Sequence, residues 1–299
     1  MTHHSSPAAV PKTVALGFSL VTMFLVFMTS LPVTLAQTQI NSGGVQDLTS
    51  QTGAVAISNN TRLNVLSGGI VQSISSTSDV VGARIADTSI LSLSTGGEIR
   101  AITSNPGSAT AVIASGNSLF EFTGGTIGAA TDAAGGTTTL LVEDNARGSL
   151  LGGDIVFGSF VANDQASINV DSTTFSFGNF TTNDQAQLSV SGGDNTFGNY
   201  TANGDSLIEI SGGSFSQNDI FSNDQATIVL LGSSFNLPFG QVTGNSGTIS
   251  GTLLDGTAFS TDFQRQGTAS IFLSSVPEPS SYLLLAISGL GLVSRRSRR

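Results

Sequence analysis

Residues 151–170 read LGGDIVFGSFVANDQASINV, and three further stretches of the same length align with them without gaps. They are DSTTFSFGNFTTNDQAQLSV at 171–190, SGGDNTFGNYTANGDSLIEI at 191–210 and SGGSFSQNDIFSNDQATIVL at 211–230. One column is asparagine and another is large and mostly aromatic: Asn163, Asn183, Asn203 and Asn223; Phe160, Phe180, Tyr200 and Ile220. Two more columns, two residues apart, are apolar, as side chains on one face of a strand must be. The pattern predicts a 20-residue repeat, with a fifth, weaker copy at 231–250.

The region before residue 151 repeats with a longer period. Gly-Gly pairs recur every 28 residues, at 68–69, 96–97, 124–125 and 152–153, after alternating apolar runs such as RLNVLS and SLFEFT. Units of this size cannot bury their own apolar face and must stack on their neighbours. We therefore expect wider coils over 37–150, and 20-residue coils with a cap over 151–275.

The composition excludes helical repeats, because Gly, Ser, Thr and Asn are poor helix formers. The predicted fold class is all-β, a parallel β-solenoid of 20- and 28-residue coils. Equivalent residues of successive coils would lie about 4.8 Å apart, so the Asn column could form a ladder of side-chain amide hydrogen bonds. The open ends need protection against edge pairing, and the flanks near 37–50 and 251–275 are the candidate caps.

Charge restricts the partners of the region between the two ends, and cysteine content restricts what stabilises it. Between residues 37 and 276 there are five arginines and 19 acidic residues, so this part carries a net charge of −14. Nucleic acid and anionic membrane surfaces are bound through cations, so we expect neither as a partner of this region. The chain has no cysteine, and its stability must come from packing and backbone pairing rather than from disulfides.

The NDQA motif is a candidate binding site. Asp164, Asp184 and Asp224 follow the Asn column by one residue, and Asp205 is displaced by one place in the divergent third copy. Carboxylates at such spacing could bind Ca²⁺, but Asn-Asp is also ordinary turn chemistry. A turn with a solvated acidic edge is the favoured interpretation, so no cofactor and no metal site is predicted, and Ca²⁺ remains the alternative.

Catalysis is not expected. Residues 37–276 contain no lysine, histidine or cysteine, and the five arginines are scattered without a clustered partner. Glu143 and Asp144 form the one adjacent acidic pair there, and we interpret it as a loop, since neighbouring residues on a strand face opposite ways. The alternative function is a polysaccharide-active β-helix enzyme, with carboxylates brought together by folding.

The N-terminus has the pattern of a secretory signal peptide. Lys12 precedes the charge-free apolar run TVALGFSLVTMFLVFM, and VTLA ends at Ala36. Cleavage is expected after Ala36, which makes 1–36 the signal peptide. The alternative is a retained signal anchor.

The C-terminus, VPEPSSYLLLAISGLGLVSRRSRR, has three parts. Val276, Pro277, Glu278 and Pro279 favour an extended, accessible backbone. No charge lies between Tyr282 and Val293, and Arg295, Arg296, Arg298 and Arg299 follow as a basic stop. Because these 12 apolar residues fall short of the roughly 20 that a spanning helix needs, a transient anchor that is later cut is favoured over a stable one. A buried C-terminal helix is the alternative.

This order of elements resembles the PEP-CTERM sorting signal of exported bacterial proteins, over residues 276–299 only. The resemblance implies export, recognition of the VPEP element by an exosortase-type membrane transpeptidase, removal of the tail, and delivery to the cell surface or extracellular matrix. With the repeats, it predicts a non-catalytic structural or adhesive protein of the cell surface or of the extracellular, biofilm-associated matrix. Its expected partners are the transpeptidase, the inner membrane for a time, and polysaccharide or other matrix components.

Overall fold

The computed structural model describes residues 37–275, except 76–78, 104–106, 132–135, 177, 196–197 and 216–217. The predicted signal peptide and the predicted sorting tail lie outside these residues. Every regular element of the described part is a β-strand. In that part, no helix is long and apolar enough to cross a membrane.

The strands are short, and most are joined by tight turns. In chain order they are β1 (Thr38–Ile40), β2 (Gly44–Leu48), β3 (Gln51–Thr52), β4 (Val55–Ile57), β5 (Thr61–Val65), β6 (Ile70–Ser75), β7 (Val80–Ile85), β8 (Ile90–Leu93), β9 (Glu98–Thr103), β10 (Ala109–Ala114), β11 (Leu119–Thr131), β12 (Thr137–Val142), β13 (Arg147–Val156) and β14 (Ser159–Ala162). They continue as β15 (Ser167–Val170), β16 (Thr174–Phe175), β17 (Phe180–Thr182), β18 (Gln187–Val190), β19 (Asp194–Asn195), β20 (Tyr200–Ala202), β21 (Leu207–Ile210), β22 (Ser214–Phe215), β23 (Asp219–Ser222), β24 (Thr227–Phe235), β25 (Gly240–Gln241), β26 (Ser246–Leu253), β27 (Ala258–Arg265) and β28 (Ser270–Ser274).

Parallel pairing between coils arranges these strands in three stacks. The first face contains β1, β4, β7, β10, β12, β14, β17, β20, β23 and β27. The second face contains β2, β5, β8, the start of β11, the start of β13, β15, β18, β21, β24 and β28. The third face contains β3, β6, β9, the ends of β11 and β13, β16, β19 and β22. The chain visits the faces in this order in each coil, so the described part is all-β and nearly closed, as in a solenoid.

The pairing register follows the repeats of the sequence. On the first face Val55 pairs with Ala83, 28 positions on, and Phe160 pairs with Phe180, 20 positions on. Three steps between strands of this face have other lengths. Thr38 pairs with Val55, 17 positions on, Val80 with Ala109, 29 positions on, and Ile220 with Phe263, 43 positions on.

The core is the inside of the stack, built from alternate residues of each strand. The two apolar columns of the second face are buried as predicted: Ile168, Val170, Leu188, Val190, Ile208, Ile210, Ile228 and Leu230. On the first face the rings of Phe160, Phe180 and Tyr200 stack with centroids 4.8 and 4.9 Å apart. Phe175, from the third face, packs edge-on against Phe160 at 5.2 Å and Phe180 at 5.0 Å. The aromatic column predicted from the alignment is therefore a continuous stack.

The prediction of a fifth 20-residue copy at 231–250 is wrong. β24 runs on to Phe235, and β25 and β26 then pair antiparallel with β28 and β27. In the 20-residue register TGNS at 243–246 replaces the corner motif, and Thr248 and Ser250 replace the inward apolar pair of a coil, so this segment cannot continue the stack. The cap at 251–275 is also corrected, because β27 and β28 form a further coil and the closing segment lies mainly before them.

The two ends of the stack are protected differently. At the start, β1, β2 and β3 pair with the next coil on one side, and polar residues such as Thr38, Gln46 and Thr52 stand in register with buried Val55, Leu63 and Val71. At the other end the antiparallel strands cover β27 and β28. The Asp255 carboxylate accepts the N–H of Gly213 at 2.7 Å, next to the last third-face strand, β22. The polar residues of the first coil can face water, whereas the antiparallel strands at the other end block the addition of further strands.

Candidate functional site

The NDQA motifs all lie at one corner, between the first and second faces. The motif at 163–166 lies between β14 and β15, and its copies lie between the equivalent strands of the following coils. The predicted sorting residues Val276, Pro277, Glu278 and Pro279, the basic residues Arg295, Arg296, Arg298 and Arg299, and Ala36 all lie outside the described residues. The corner is therefore the predicted candidate site whose geometry the structure describes.

The Asn column forms the predicted ladder. The Nδ2 group of Asn183 donates to Oδ1 of Asn163 at 2.8 Å, that of Asn203 donates to Asn183 at 2.9 Å, and that of Asn223 donates to Asn203 at 2.8 Å. All of these groups are part-buried. At the lower end Asn163 donates to Glu143 at 3.4 Å. Each amide donates to one neighbour and accepts from the other, so the ladder uses both ends of the side chain.

The Asp column is explained by backbone conformation. Asp164, Asp184 and Asp224 have φ of 60°, 59° and 60°, in the left-handed region that aspartate tolerates better than most residues. In the divergent copy Gly204 takes the same position with φ of 66°, and Asp205 moves to the next column, as the alignment predicted. The left-handed backbone of the turn therefore explains why this corner position holds either Asp or Gly.

The carboxylates of this column bind the preceding coil. Asp164 accepts the N–H of Asp144 at 3.2 Å, Asp184 accepts that of Asp164 at 3.4 Å, and Asp224 accepts that of Gly204 at 3.2 Å. Within the described ranges no group of three or more His, Asp or Glu side chains is arranged to hold a metal ion. The geometry is that of a turn with an exposed acidic edge, in which each carboxylate fastens one coil to the next.

Glu143 and Asp144 lie in a turn, as expected, and they belong to the same corner. Glu143 accepts the last bond of the Asn ladder, and Asp144 has φ of 60° and accepts the N–H of Gly116 at 2.9 Å. They therefore occupy the Asn and Asp columns one coil earlier. The alignment missed them because the distance between corners changes from 28 to 20 residues at this point.

A buried polar pair in the third copy was also missed. Asn195 replaces Phe175 in its column, Tyr200 replaces Phe180, and the Asn195 amide donates to the Tyr200 hydroxyl at 3.2 Å. Both side chains are at least 97% buried. Burial raises the pKa of the Tyr200 phenol well above its ordinary value, against the smaller lowering effect of the bond from Asn195. The two substitutions compensate each other, since either polar group alone would lack this partner.

Two arginines are paired, which corrects the expectation of scattered arginines without a clustered partner. On the outer side of the second face Arg62 binds Glu121 at 2.6 Å, two coils away, and both bind the hydroxyl of Ser92 between them. Arg100 pairs with Glu98 on the outer side of the third face. Folding brings Arg62 and Glu121 together from 59 positions apart, a distance at which no local pattern could reveal them.

A shallow groove of about 460 Å³ runs along the corner before the first face. Its lining is Thr137, Phe157, Gly158, Ser159, Gly178, Asn179, Gly198 and Asn199. The side-chain carbonyl of Asn179 accepts the N–H of Asn199 at 2.9 Å, and that of Asn199 accepts the N–H of Asp219 at 3.1 Å. The NH₂ group of each amide is left as a further donor, one coil apart, in a lining without charged residues.

Comparison with known proteins concerns the end of the chain. Residues 275–299 match the family model of the PEP-CTERM protein-sorting motif. The tail is a PEP-CTERM motif. This agrees with the resemblance drawn from the VPEP element, the apolar run and the basic end, and it indicates export with exosortase-type, membrane-linked sorting. The match covers the tail alone, and no curated protein and no solved structure matches the chain significantly.

Proposed function

We propose that this protein is a non-catalytic structural or adhesive component of the cell surface or extracellular matrix, delivered there through its PEP-CTERM tail. The observation that carries the proposal is the combination of that tail with a stack whose corner chemistry repeats from coil to coil. An active site interrupts a repeat locally. The Asn ladder, which ends on Glu143, and the Asp turns continue from Asn163 to Asp224 with one exception. That exception, NGDS at 203–206, is explained by packing, because Ser206 shares a hydrogen bond of 2.9 Å with buried Thr182.

The proposed mature protein is a parallel β-solenoid with coils of 28 and then 20 residues. Residues 1–36 act as a signal peptide removed after Ala36, and 276–299 act as the sorting element. The pairings 28 and 20 positions apart support the coil sizes. The exosortase-type transpeptidase and the inner membrane are transient partners in this scheme.

Matrix polysaccharide is the proposed lasting partner. The support for it is the uncharged groove at Gly178 and Asn179, whose amide donors are spaced as the coils are, about 4.8 Å apart. A net charge of −14 over 37–276 disfavours polyanions and leaves neutral chains as the better fit.

Sorting can be tested with a triple substitution in the native host, Pro277→Ala, Glu278→Ala and Pro279→Ala. The unchanged chain should be released from the membrane fraction to the surface or medium, and the triple variant should stay in the membrane with its C-terminal tail uncut. A matched control, Pro238→Ala, changes a proline of the described domain and should be sorted normally. Equal release of the unchanged chain and the triple variant would contradict sorting through the VPEP element.

The scaffold and enzyme hypotheses predict different results in one assay. Purified protein is incubated with neutral polysaccharide from the host matrix, and both cosedimentation and new reducing ends are measured. The proposal predicts cosedimentation without cleavage, weakened when Asn179 and Asn199 are changed to alanine. Reducing ends produced by the unchanged chain would instead favour a polysaccharide-active enzyme.

A further inference from the structure

The outer surface of the second face changes character in its last two coils. In one outward column the residues are polar in four successive coils and then apolar in two: Ser149, Asn169, Ser189, Glu209, Val229 and Phe272. Phe272 is 36% exposed, and nearby Phe239 is 52% exposed. Val229 and Leu231 beside them are half-buried. Large exposed apolar side chains are normal one at a time, but two of them next to further accessible apolar residues mark an interaction surface.

This cluster lies beside the place where the chain leaves the fold. β28 ends at Ser274, which pairs with Leu231 on one side. On its other side Gly240 pairs with Leu273 and Gln241 with Phe272, which puts Phe239 beside the end of β28. The ring of Phe239 lies 5.5 Å from that of Phe235, which anchors it to the closing segment. We call Val229, Leu231, Phe239 and Phe272 the apolar collar.

The length of chain beyond the fold determines what faces this collar. The charge-free segment of the tail begins at Tyr282, and six residues, 276–281, separate it from Ser275. Six extended residues span at most about 20 Å. While the tail is inserted, the last coils are therefore held within about 20 Å of the bilayer.

The chemistry of the collar fits the interfacial layer of a membrane. Phenylalanine and leucine side chains of interfacial segments enter the boundary between headgroups and acyl chains, and the apolar area that they bury contributes to binding without any need for charge. The acidic domain lacks the basic clusters that attract anionic lipids, so attraction to lipid must come from apolar contact.

We propose that the apolar collar rests in the interfacial layer of the membrane while the tail is inserted. The collar turns the outer side of the last second-face strands toward the bilayer and holds the VPEP element at its surface, where the transpeptidase acts. This inference rests on the proposed sorting function, since the tail must first enter the membrane.

The absence of tryptophan from the chain makes the test direct. Full-length single-tryptophan variants Phe272→Trp and Phe239→Trp are reconstituted into phosphatidylcholine vesicles with brominated acyl chains. Matched controls are Leu151→Trp, 47% exposed directly after the second-face part of β13, and Val45→Trp, 68% exposed at the opposite end. We expect at least a twofold loss of fluorescence at 272 and 239, and little change at 151 and 45.

The outcomes separate this inference from the function on which it rests. Vesicle flotation without stronger quenching at 272 and 239 than at the controls would overturn the collar and leave tail insertion intact. Failure of the chain to float with vesicles would overturn both. In the host, the double variant Phe239→Ser and Phe272→Ser should slow removal of the tail several-fold, and Leu151→Ser should not. Slowed removal without quenching in lipid would mean that the collar contacts the transpeptidase instead, which also contradicts the proposal.

Discussion

The wide coils before residue 150 and the narrow coils after it hold together by different means. The third-face strands β6 and β9 have six residues each, whereas β16, β19 and β22 have two. The narrow coils add two side-chain stacks, the Asn ladder and the aromatic column. In the wide coils the Asn column contains Ala86, Ser115 and Glu143, and the aromatic column contains the smaller aliphatic residues Ala83, Val112 and Leu140. Where backbone pairing between coils is shorter, side-chain stacking takes its place.

The largest change in stability is expected when the central ring of the aromatic stack is removed. Phe180 is 1% exposed and lies between the rings of Phe160 and Tyr200. Phe180→Ala should lower the free energy of unfolding by about 3–5 kcal/mol. Val112→Ala, in the same column of a wide coil, should cost about 2 kcal/mol, since two methyl groups are lost. Urea unfolding followed by circular dichroism gives both values, and equal losses would refute a special role for the stack.

The Asn ladder gives the next test. Asn183→Ala removes two side-chain bonds, to Asn163 and from Asn203, and should cost about 2 kcal/mol at about 1 kcal/mol per bond. Ser115→Ala, at the equivalent place in a wide coil, removes one long bond of 3.3 Å and should cost well under about 1 kcal/mol. The urea midpoints of the two variants provide the comparison. A smaller loss for Asn183→Ala than for Ser115→Ala would show that the ladder adds no stability.

The buried phenol of Tyr200 predicts a loss of stability at alkaline pH. Because burial raises its pKa in the folded state, only the unfolded chain releases the proton near pH 10. The stabilisation is complete below that pH, and it is lost above it by up to about 1.4 kcal/mol per pH unit. Urea midpoints compared on either side of pH 10 should fall for the unchanged chain. The double variant Asn195→Phe and Tyr200→Phe restores the apolar pair of the preceding coil and should not show this fall. An identical fall in both proteins would place its origin elsewhere.

The smallest effect is expected at the corner, where the two regions are alike. Asp87 in a wide coil and Asp184 in a narrow coil have φ of 61° and 59°, and glycine fills the same column at 116 and 204. Substitution by glycine should therefore cost less than about 1 kcal/mol, while alanine should cost about 1–2 kcal/mol more because of its left-handed backbone. Both positions should respond equally in the same unfolding assay. A larger cost for glycine than for alanine would contradict the turn explanation.

Much of the fold could be predicted because periodic features carry their own signal. The columns at Asn163 and Phe160 repeat at the spacing of the coils, so alignment alone places them one above another. The closing segment was missed because the antiparallel strands β25 and β26 repeat nothing, and the last coil returns 43 positions on. The Asn195–Tyr200 pair was missed because each residue, taken alone, looks like an ordinary sequence difference between copies of the repeat. Their complementarity depends on contact between the first and third faces inside one coil.

The central claim is that this stack of coils is exported and sorted through its tail. The most direct test is the intact mass, with peptide mapping, of the protein recovered from the medium and from the membrane fraction of its native host. The account predicts a product outside the cell that lacks residues 1–36 and everything after the VPEP element. A full-length chain that stays in the membrane would contradict it.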